Sequence, residues 1–474
     1  MFGLETIVAW AKRRWFVYPG SDIYGWLANA WDYGPYGVQL KKNIQDIWRK
    51  TFIEKRDDMV WLDAQILMHP KTWEASWHVA WFNDPLIDDK NTWERFRADK
   101  LLEDLIHQKN YTLADLEQYW VSNLVPESRT FEQMKACIVA EIPHNPNTKK
   151  PADWTDVRKF ELMFYTYQGV IHDEANKIWM RPETAQWIFV NFRNILDTTR
   201  MRVPFGIGQI GKAFRNEITP WNFLYRTREF EQMEIEYFVK ETDAPAFFKQ
   251  RQEESMKFWQ EVMQFDQAHI RFREHEADEL SHYSKGTFDV EFSYPWWWGE
   301  LQWIARRGNF DLTQHQEASG TSMQYSDPVT GERYLPHVIE PSFGLSRTVL
   351  AVFFDSYDEE EYIDWNGQQQ TRVVVRFPKR LAPVRCAILP LIKKDEKQVA
   401  LAESLYSSLS DHVICEYDDG GAIGKRYRRQ DEIGTPYCIT IDHQSTEDGT
   451  VTVRDRDSMK QIRIHCDDLL AFIL

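Results

Sequence analysis

Residues 204–238 read PFGIGQIGKAFRNEITPWNFLYRTREFEQMEIEYF, two alternating apolar and polar runs separated by a polar stretch. This pattern predicts two antiparallel strands joined by a loop. Alternate strand side chains share a face, so Arg215 and Glu217 are expected to point one way and Phe214 and Asn216 the other. On the return strand Arg226, Arg228, Phe230, Gln232 and Glu234 are expected to share a face. Arginines, an aromatic ring and carboxylates on one sheet surface suit a phosphate chain, a planar base and an ammonium group. The competing reading is a solvated sheet face crossed by ion pairs, and it weakens as the charged pairs accumulate.

Around this pair, a chain of 474 residues is too long for one ordinary core, and two or three domains are expected. A hydrophobic content of 43% is that of a globular protein. The sequence contains no apolar run of about 18 residues or more, and Met1 to Arg14 lacks an export signal, so a cytoplasmic protein without membrane spans is expected. Cys137, Cys386, Cys415, Cys438 and Cys466 are scattered, which fits a reducing compartment and argues against a disulfide framework or a thiolate zinc site. The net charge of -16 argues against one broad basic face for nucleic acid. From Arg380 onward there are 13 Lys or Arg against 16 Asp or Glu, a balance of -3 that leaves -13 for the preceding part. The densest basic cluster there is Lys425, Arg426, Arg428 and Arg429, a local nucleic-acid contact or a solvated helix face.

Gly37 to Lys55, with Val38, Ile44, Ile47, Trp48 and Phe52 at helical spacing, predicts an amphipathic helix. Helices are also expected over Ala98–Gln108 and Asp243–Phe265, a surface loop over Pro143–Pro151, and a turn followed by an apolar helix over Pro341–Tyr357. A domain boundary is placed in or just after the acidic segment Asp358–Gln370. Beyond it, strands at 384–392, 413–417, 437–442 and 450–454 and a helix at 396–409 predict a small α/β domain with a partly parallel sheet.

Phe214-Arg-Asn-Glu217 followed by Arg226-Thr-Arg-Glu-Phe-Glu-Gln-Met-Glu234 resembles motif 2 of the class II aminoacyl-tRNA synthetases, in the form found in glycyl-tRNA synthetases of the single-chain, homodimeric type. Trp31–Pro35, Ile66–Glu74, Arg181–Gln186, His282–Lys285, Asp311–His315, Glu340–Arg347 and Gly424–Pro436 agree with it in order. The likeness runs from about Ile7 to the C-terminus and is thinnest between Asp104 and Asp153.

The resemblance implies an α+β catalytic domain, an antiparallel sheet flanked by helices, over residues 1–377, with an insertion at about 84–160. A C-terminal α/β anticodon-binding domain would occupy 378–474. It implies activation of glycine with ATP and Mg2+, transfer to tRNA(Gly), and a homodimer built through motif 1 at Gly37–Lys55. Arg215, Glu217 and Arg347 would be catalytic. ATP would be held by Arg215, Asn216, Glu217, Tyr225, Arg226, Thr227, Arg228, Glu229, Phe230, Glu300, Leu301, Gly344, Leu345, Ser346 and Arg347, with Mg2+ at Glu300. Glycine would be held by Arg97, Glu183, Phe230, Glu231, Gln232, Met233, Glu234, Glu340, Pro341, Ser342, Phe343 and Gly344. Glu183 has an alternative reading as a first-turn helix residue after Pro182. Lys425, Arg426, Arg428 and Arg429 would meet tRNA. A non-catalytic synthetase-like nucleic-acid-binding subunit, such as the accessory subunit of a mitochondrial DNA polymerase, and a class II ligase for threonine or proline are the alternatives. The paired phosphate-binding arginines argue against the first, and the acids at Glu183, Glu234 and Glu340 against the second.

The sequence departs from the family in two ways. Asp89, Thr92, Asn145 and Thr148 stand where relatives often carry two pairs of zinc-binding cysteines, so no zinc is expected, and Ser346 replaces an Asp before the motif 3 arginine. There are also 21 tryptophans and only 21 glycines, where average usage gives about 33 glycines. Trp15, Trp26, Trp61, Trp77, Trp187, Trp221, Trp297 and Trp303 occupy positions where the family carries glycine, with Trp81 a further candidate. Trp31, Trp73 and Trp298 match family aromatics. Eight overpackings at about 1–3 kcal/mol each would exceed typical domain stability, so these codons are expected to be UGA read as glycine. Trp187 is expected to crowd the glycine pocket and Trp221 the motif 2 loop.

Overall fold

The computed structural model describes residues 2–119, 121, 130–218, 222–275, 285–363 and 367–474. Trp221 and the His282–Ser284 part of one motif lie outside them. Seven strands form the central sheet: β1 (Met59–Trp61), β2 (Phe205–Phe214), β3 (Glu229–Val239), β4 (Ile270–Glu274), β5 (Thr287–Tyr294), β6 (Trp297–Gly308) and β7 (His337–Gly344). Their order is β4-β5-β6-β7-β3-β2-β1. Every neighbouring pair is antiparallel except β2 with β1.

β2 and β3 pair from Glu229 opposite Phe214 to Phe238 opposite Phe205. The alternation holds over β3. Met233, Ile235 and Tyr237 enter the main core with Trp48, Phe52, Phe258 and Phe343, while Phe230, Gln232 and Glu234 lie on the other face, where they line a cavity. α1 (Pro35–Arg49) buries Leu40, Ile44 and Trp48. α2 (Ala185–Thr198) and α3 (Phe310–Ser319) cover the far end of the opposite face, where Phe189, Phe192 and Leu312 meet Phe205, Ile207 and Phe238. That face is therefore apolar at one end and polar at the other.

Two expectations need correction. The alternation does not include Arg215, Glu217, Arg226 or Arg228, because β2 ends at Phe214 and β3 begins at Glu229. Asn216 donates its backbone N–H to Leu162 O at 2.7 Å and Glu217 donates to Arg215 O at 2.7 Å, which turns the chain off the strand axis. Pro341 opens no turn. It lies within β7, and the apolar helix α4 starts at Leu345 and ends at Ser356. The acidic segment after it is a hairpin, β8 (Tyr357–Ile363) with β9 (Gln369–Val375).

The C-terminal strands are β10 (Cys386–Pro390), β11 (Cys415–Tyr417), β12 (Tyr437–Ile441), β13 (Thr450–Asp455) and β14 (Gln461–His465). They lie in the order β11-β10-β12-β13-β14, the first three parallel and the rest antiparallel. β14 escaped the sequence reading because its alternation is short and largely exposed. A helix not foreseen as such, α5 (Ile423–Ile433), joins this domain to the hairpin through a buried knot. Asp431 accepts from Arg372 at 2.9 Å, Arg454 at 2.8 and 3.0 Å and Arg428 at 3.1 Å.

The insertion holds a three-stranded sheet (Asn83–Asp89, Glu94–Arg97 and Arg158–Glu161) packed on helices Ala98–Lys109 and Thr130–Glu141. At its tip the Asn145 amide donates to Asp89 at 2.9 Å, Thr92 at 3.1 Å and Glu94 at 2.7 Å, and its oxygen accepts the Thr148 N–H at 3.1 Å. Side-chain hydrogen bonds thus join the four positions discussed for zinc. Among the described residues no three His, Cys, Asp or Glu side chains are grouped to hold a metal ion.

Candidate active site

The polar end of the sheet opens into a cavity of about 480 Å3, walled by β3, β6 and β7, by the β2–β3 connection and by the start of α3. One end of it is acidic. β3 directs Glu234 inward, where Oε1 accepts from Gln232 Nε2 and Ser342 Oγ, both at 2.8 Å. Oε2 accepts from the Thr184 backbone N–H at 3.1 Å and from the Thr184 hydroxyl. Burial and the neighbouring Glu183 raise the Glu234 carboxyl above its ordinary pKa. Burial would raise Glu183 as well, but His78, 3.4 Å away, together with Arg307 and Arg215 holds it far below the ordinary range. Glu183 precedes the cap residue Thr184 of α2, so it is not a first-turn residue.

Beneath these acids lies a polar network that the motifs did not reveal. Arg307, 2% exposed, donates to Asp311 through Nε and Nη2 at 2.9 Å each and to both Glu340 oxygens at 3.1 Å. Asp311 also accepts from Gln186 at 2.9 Å, and the Gln186 oxygen meets His315 Nε2 at 2.8 Å. Burial lowers the His315 pKa. Glu236, buried on β3 across from Glu340, is pushed well above the ordinary carboxyl range by burial and then by Glu340. Arg307 lies at the end of β6 and Asp311 at the start of α3, so no single strand or helix period links them in the sequence.

The other end of the cavity carries cations and rings. Arg215 donates through Nε to Pro182 O at 2.9 Å, and its guanidinium lies 5.4 Å from the Phe82 ring and 5.3 Å from the Phe230 ring. Arg226 stands 3.9 Å from Glu217. Across the cavity Arg347 donates to the Glu300 carboxylate at 2.7 Å and to Tyr225 O at 3.2 Å, over the Tyr225 ring at 4.6 Å. Tyr225 in turn sits edge-on to Tyr294 and Trp296. An acidic pocket joined to an arginine-flanked slot can hold an ammonium group and a nucleotide phosphate side by side.

Residues 385–474 match the family model described as an anticodon binding domain. The chain is 50% identical to the glycine–tRNA ligase of Alkaliphilus oremlandii over 99% of this chain and 97% of that one. It is 49% identical to the glycine–tRNA ligase of Staphylococcus saprophyticus over 99% and 98%. The chain belongs to the glycine–tRNA ligase family. The class II fold is shared with a prolyl-tRNA synthetase from Cryptosporidium parvum, solved with L-proline and AMP, at a TM-score of 0.61 and 14% identity, covering 98% of this chain and 73% of that one.

In this ligase Glu183, Arg215, Glu217, Tyr225, Arg226, Thr227, Phe230, Glu231, Gln232, Glu234, Glu300, Ser342, Gly344, Ser346 and Arg347 all line the cavity, although the Glu231 carboxylate turns to the other face of β3 and pairs with Lys41 of α1 at 2.5 Å. Glu340 is held beneath it by Arg307. Others point elsewhere. Arg97 is engaged by Asp84 at 3.1 Å and Asp99 at 2.6 Å in the insertion. Arg228 reaches Ala28 O at 3.3 Å, and Glu229 pairs outside with Lys212. Asn216 contributes its backbone to Leu162. Met233, Leu301, Phe343 and Leu345 belong to the apolar core, and Pro341 is buried within β7 beside them. Odd and even strand positions must face opposite ways, so a contiguous motif cannot place all its side chains in one site.

The basic cluster also divides. Arg426 is 3% exposed and donates to Pro390 O at 2.6 Å and Gly421 O at 2.8 Å, which makes it a fixture of its own domain. Arg428 lies on Asp431 and over the Tyr362 ring, and Arg429 is paired with Asp418. Lys425 is exposed. Of the tryptophans, Trp77 and Trp303 line the cavity. Trp187 does not. Its ring is buried against Trp73 at 5.5 Å with the Arg181 guanidinium over it at 4.5 Å.

Proposed function

We propose that the chain joins glycine to ATP as glycyl-adenylate, releasing pyrophosphate, and then transfers the glycyl group to the 3′ end of tRNA(Gly), releasing AMP. The observation that carries this reading is the acidic end of the cavity, where Glu183, Glu234 and Ser342 offer an ammonium group several oxygens within a narrow space. Glycine has no side chain to grasp, so its ammonium and the exclusion of larger side chains must supply selectivity.

Arg215 stands at the junction of the two ends. From there it bridges the glycine carboxylate and the α-phosphate as a carboxylate oxygen attacks phosphorus, where charge grows most. Adenine enters between Phe230 and Arg347, with Glu217 accepting from its amino group and Arg226 on the phosphate tail. Arg347 then exchanges its contact with Glu300 for the γ-phosphate. Mg2+ arrives as part of the MgATP substrate. Glu300, whose side chain is 45% exposed, is the carboxylate placed to meet it, since Mg2+ in such sites takes one or two protein carboxylates plus phosphate oxygens. The C-terminal domain meets the tRNA, with Lys425 at its surface. A homodimer forms through the outer face of α1, where Val38 is exposed. Among the described residues no helix is long and apolar enough to cross a membrane, and the chain acts in the cytoplasm.

The test is ATP–pyrophosphate exchange with glycine, alanine, threonine and proline. Exchange with glycine alone supports the reading; exchange with threonine or proline but not glycine overturns it.

A further inference from the structure

The backbone itself identifies residues that do not suit their places. Twelve non-glycine residues among those described have φ between 52° and 67°, the left-handed region that favours glycine and tolerates asparagine. Three of them are asparagine and four are tryptophan: Trp15 at 59°, Trp26 at 67°, Trp77 at 65° and Trp93 at 57°. Tryptophan is only 21 of 474 residues. Three of these four are positions where the resembled family carries glycine. Trp93, for which no such expectation existed, is picked out by its backbone alone.

The turns explain the angles. Helix Leu4–Arg13 ends with the Phe16 N–H donating to Ala11 O at 2.9 Å and the Trp15 N–H to Lys12 O at 3.2 Å. This is the paired closure whose left-handed residue, here Trp15, is usually glycine. Trp77 is the left-handed link between helices Lys71–Ala75 and His78–Trp81. Trp93 closes the hairpin between Asn83–Asp89 and Glu94–Arg97, donating to Asp89 O at 2.7 Å, another place for a left-handed glycine. Burial does not compensate these rings, since Trp15 is 61% and Trp93 77% exposed, and Trp26 and Trp77 are also exposed. By contrast Trp10, Trp48, Trp73 and Trp259 are fully buried core residues.

We infer that the native polypeptide carries glycine at Trp15, Trp26, Trp77 and Trp93, encoded by UGA, and that this enzyme has a second nucleic-acid substrate, a glycine-accepting tRNA whose anticodon pairs with UGA. UGA lies one base from the tryptophan codon UGG and one base from the glycine codon GGA. Any codon read as glycine needs a tRNA charged with glycine, and a glycine ligase performs that charging, so the second half of the inference rests on the function proposed above. UGA and the GGN codons share their middle base and differ in the first. The enzyme must therefore accept a change at the third anticodon position. Restoring glycine at Trp77 also removes a ring from the wall of the substrate cavity.

The test has two arms. In the gene, UGA is expected at the four positions and UGG at Trp10, Trp48, Trp73 and Trp259, and peptides from the enzyme purified from its own cells are expected to contain glycine at the four. UGG codons or tryptophan-containing peptides at those positions overturn the inference. In the second arm the protein with glycine at every position whose codon proves to be UGA is given two glycine tRNA transcripts, one with a GGN-reading and one with a UCA anticodon. Charging of both with glycine supports the second substrate, and charging of the GGN-reading tRNA alone overturns it. Failure with both, while the codons and peptides show glycine, counts against the glycine-ligase reading instead. The W15G/W26G/W77G/W93G variant is also expected to melt above the tryptophan-containing chain, and a lower midpoint counts against glycine at these turns.

Discussion

Replacing Arg307 with methionine tests the network beneath the acidic pocket. The guanidinium is 2% exposed and makes four hydrogen bonds, two to Asp311 and two to Glu340, each 2.9–3.1 Å long. Methionine fills part of the space but leaves two carboxylates buried without their cation. Breaking one side of a buried pair in this way costs about 3–5 kcal/mol. R307M is therefore expected to lose about that much stability in the urea transition of the catalytic domain. Because the penalty is that of uncompensated negative charge, R307M/D311N/E340Q is expected to recover most of it. The deficit of R307M should also shrink as the pH falls, since the stranded Glu340 carboxyl, which burial pushes above its ordinary pKa, stabilises only once protonated. A triple variant as unstable as the single one, or a deficit independent of pH, would falsify the charge argument and make Arg307 a packing residue.

In the ligand-free enzyme burial and the neighbouring Glu340 hold the Glu236 carboxyl well above its ordinary range. The stability this acid contributes is then fully present below the unfolded carboxyl pKa and lost as the pH rises through the raised folded value; urea midpoints should decline as the pH rises, and E236Q should flatten the decline. R215A is expected to lower glycine-dependent pyrophosphate exchange by roughly 10²–10³-fold while ATP binding by calorimetry weakens far less, because its contact matters most as charge develops. Equal losses in both would give Arg215 a ground-state role only. R426A, which strands the buried Pro390 carbonyl, should destabilise the C-terminal domain by about 1–3 kcal/mol. K425A should leave folding and exchange intact but lower the salt slope of tRNA binding by about one, and an unchanged slope would place the phosphate contact elsewhere.

What the sequence determined by itself was local or repetitive. Alternation over 230–239 sets β3 and its polar face, because strand side chains obey a fixed period of two. The spacing of Leu40, Ile44 and Trp48 sets the buried side of α1, and the motif order sets the family. The same rule failed at Arg215, Glu217, Arg226 and Arg228, since a period says nothing about where a strand stops. That is decided by partners such as Leu162 O, far away along the chain.

Only the tertiary structure could divide like charges into different roles. Arg307 collects Asp311 and Glu340, while Gln186, over a hundred residues earlier, completes the network. Arg97 and Arg426, both read as ligand contacts, instead satisfy acids and carbonyls of their own domains. A charged side chain that folding takes from water must find a partner at once. Whether that partner is a substrate or another residue depends on contacts between distant segments, which no short stretch of sequence encodes.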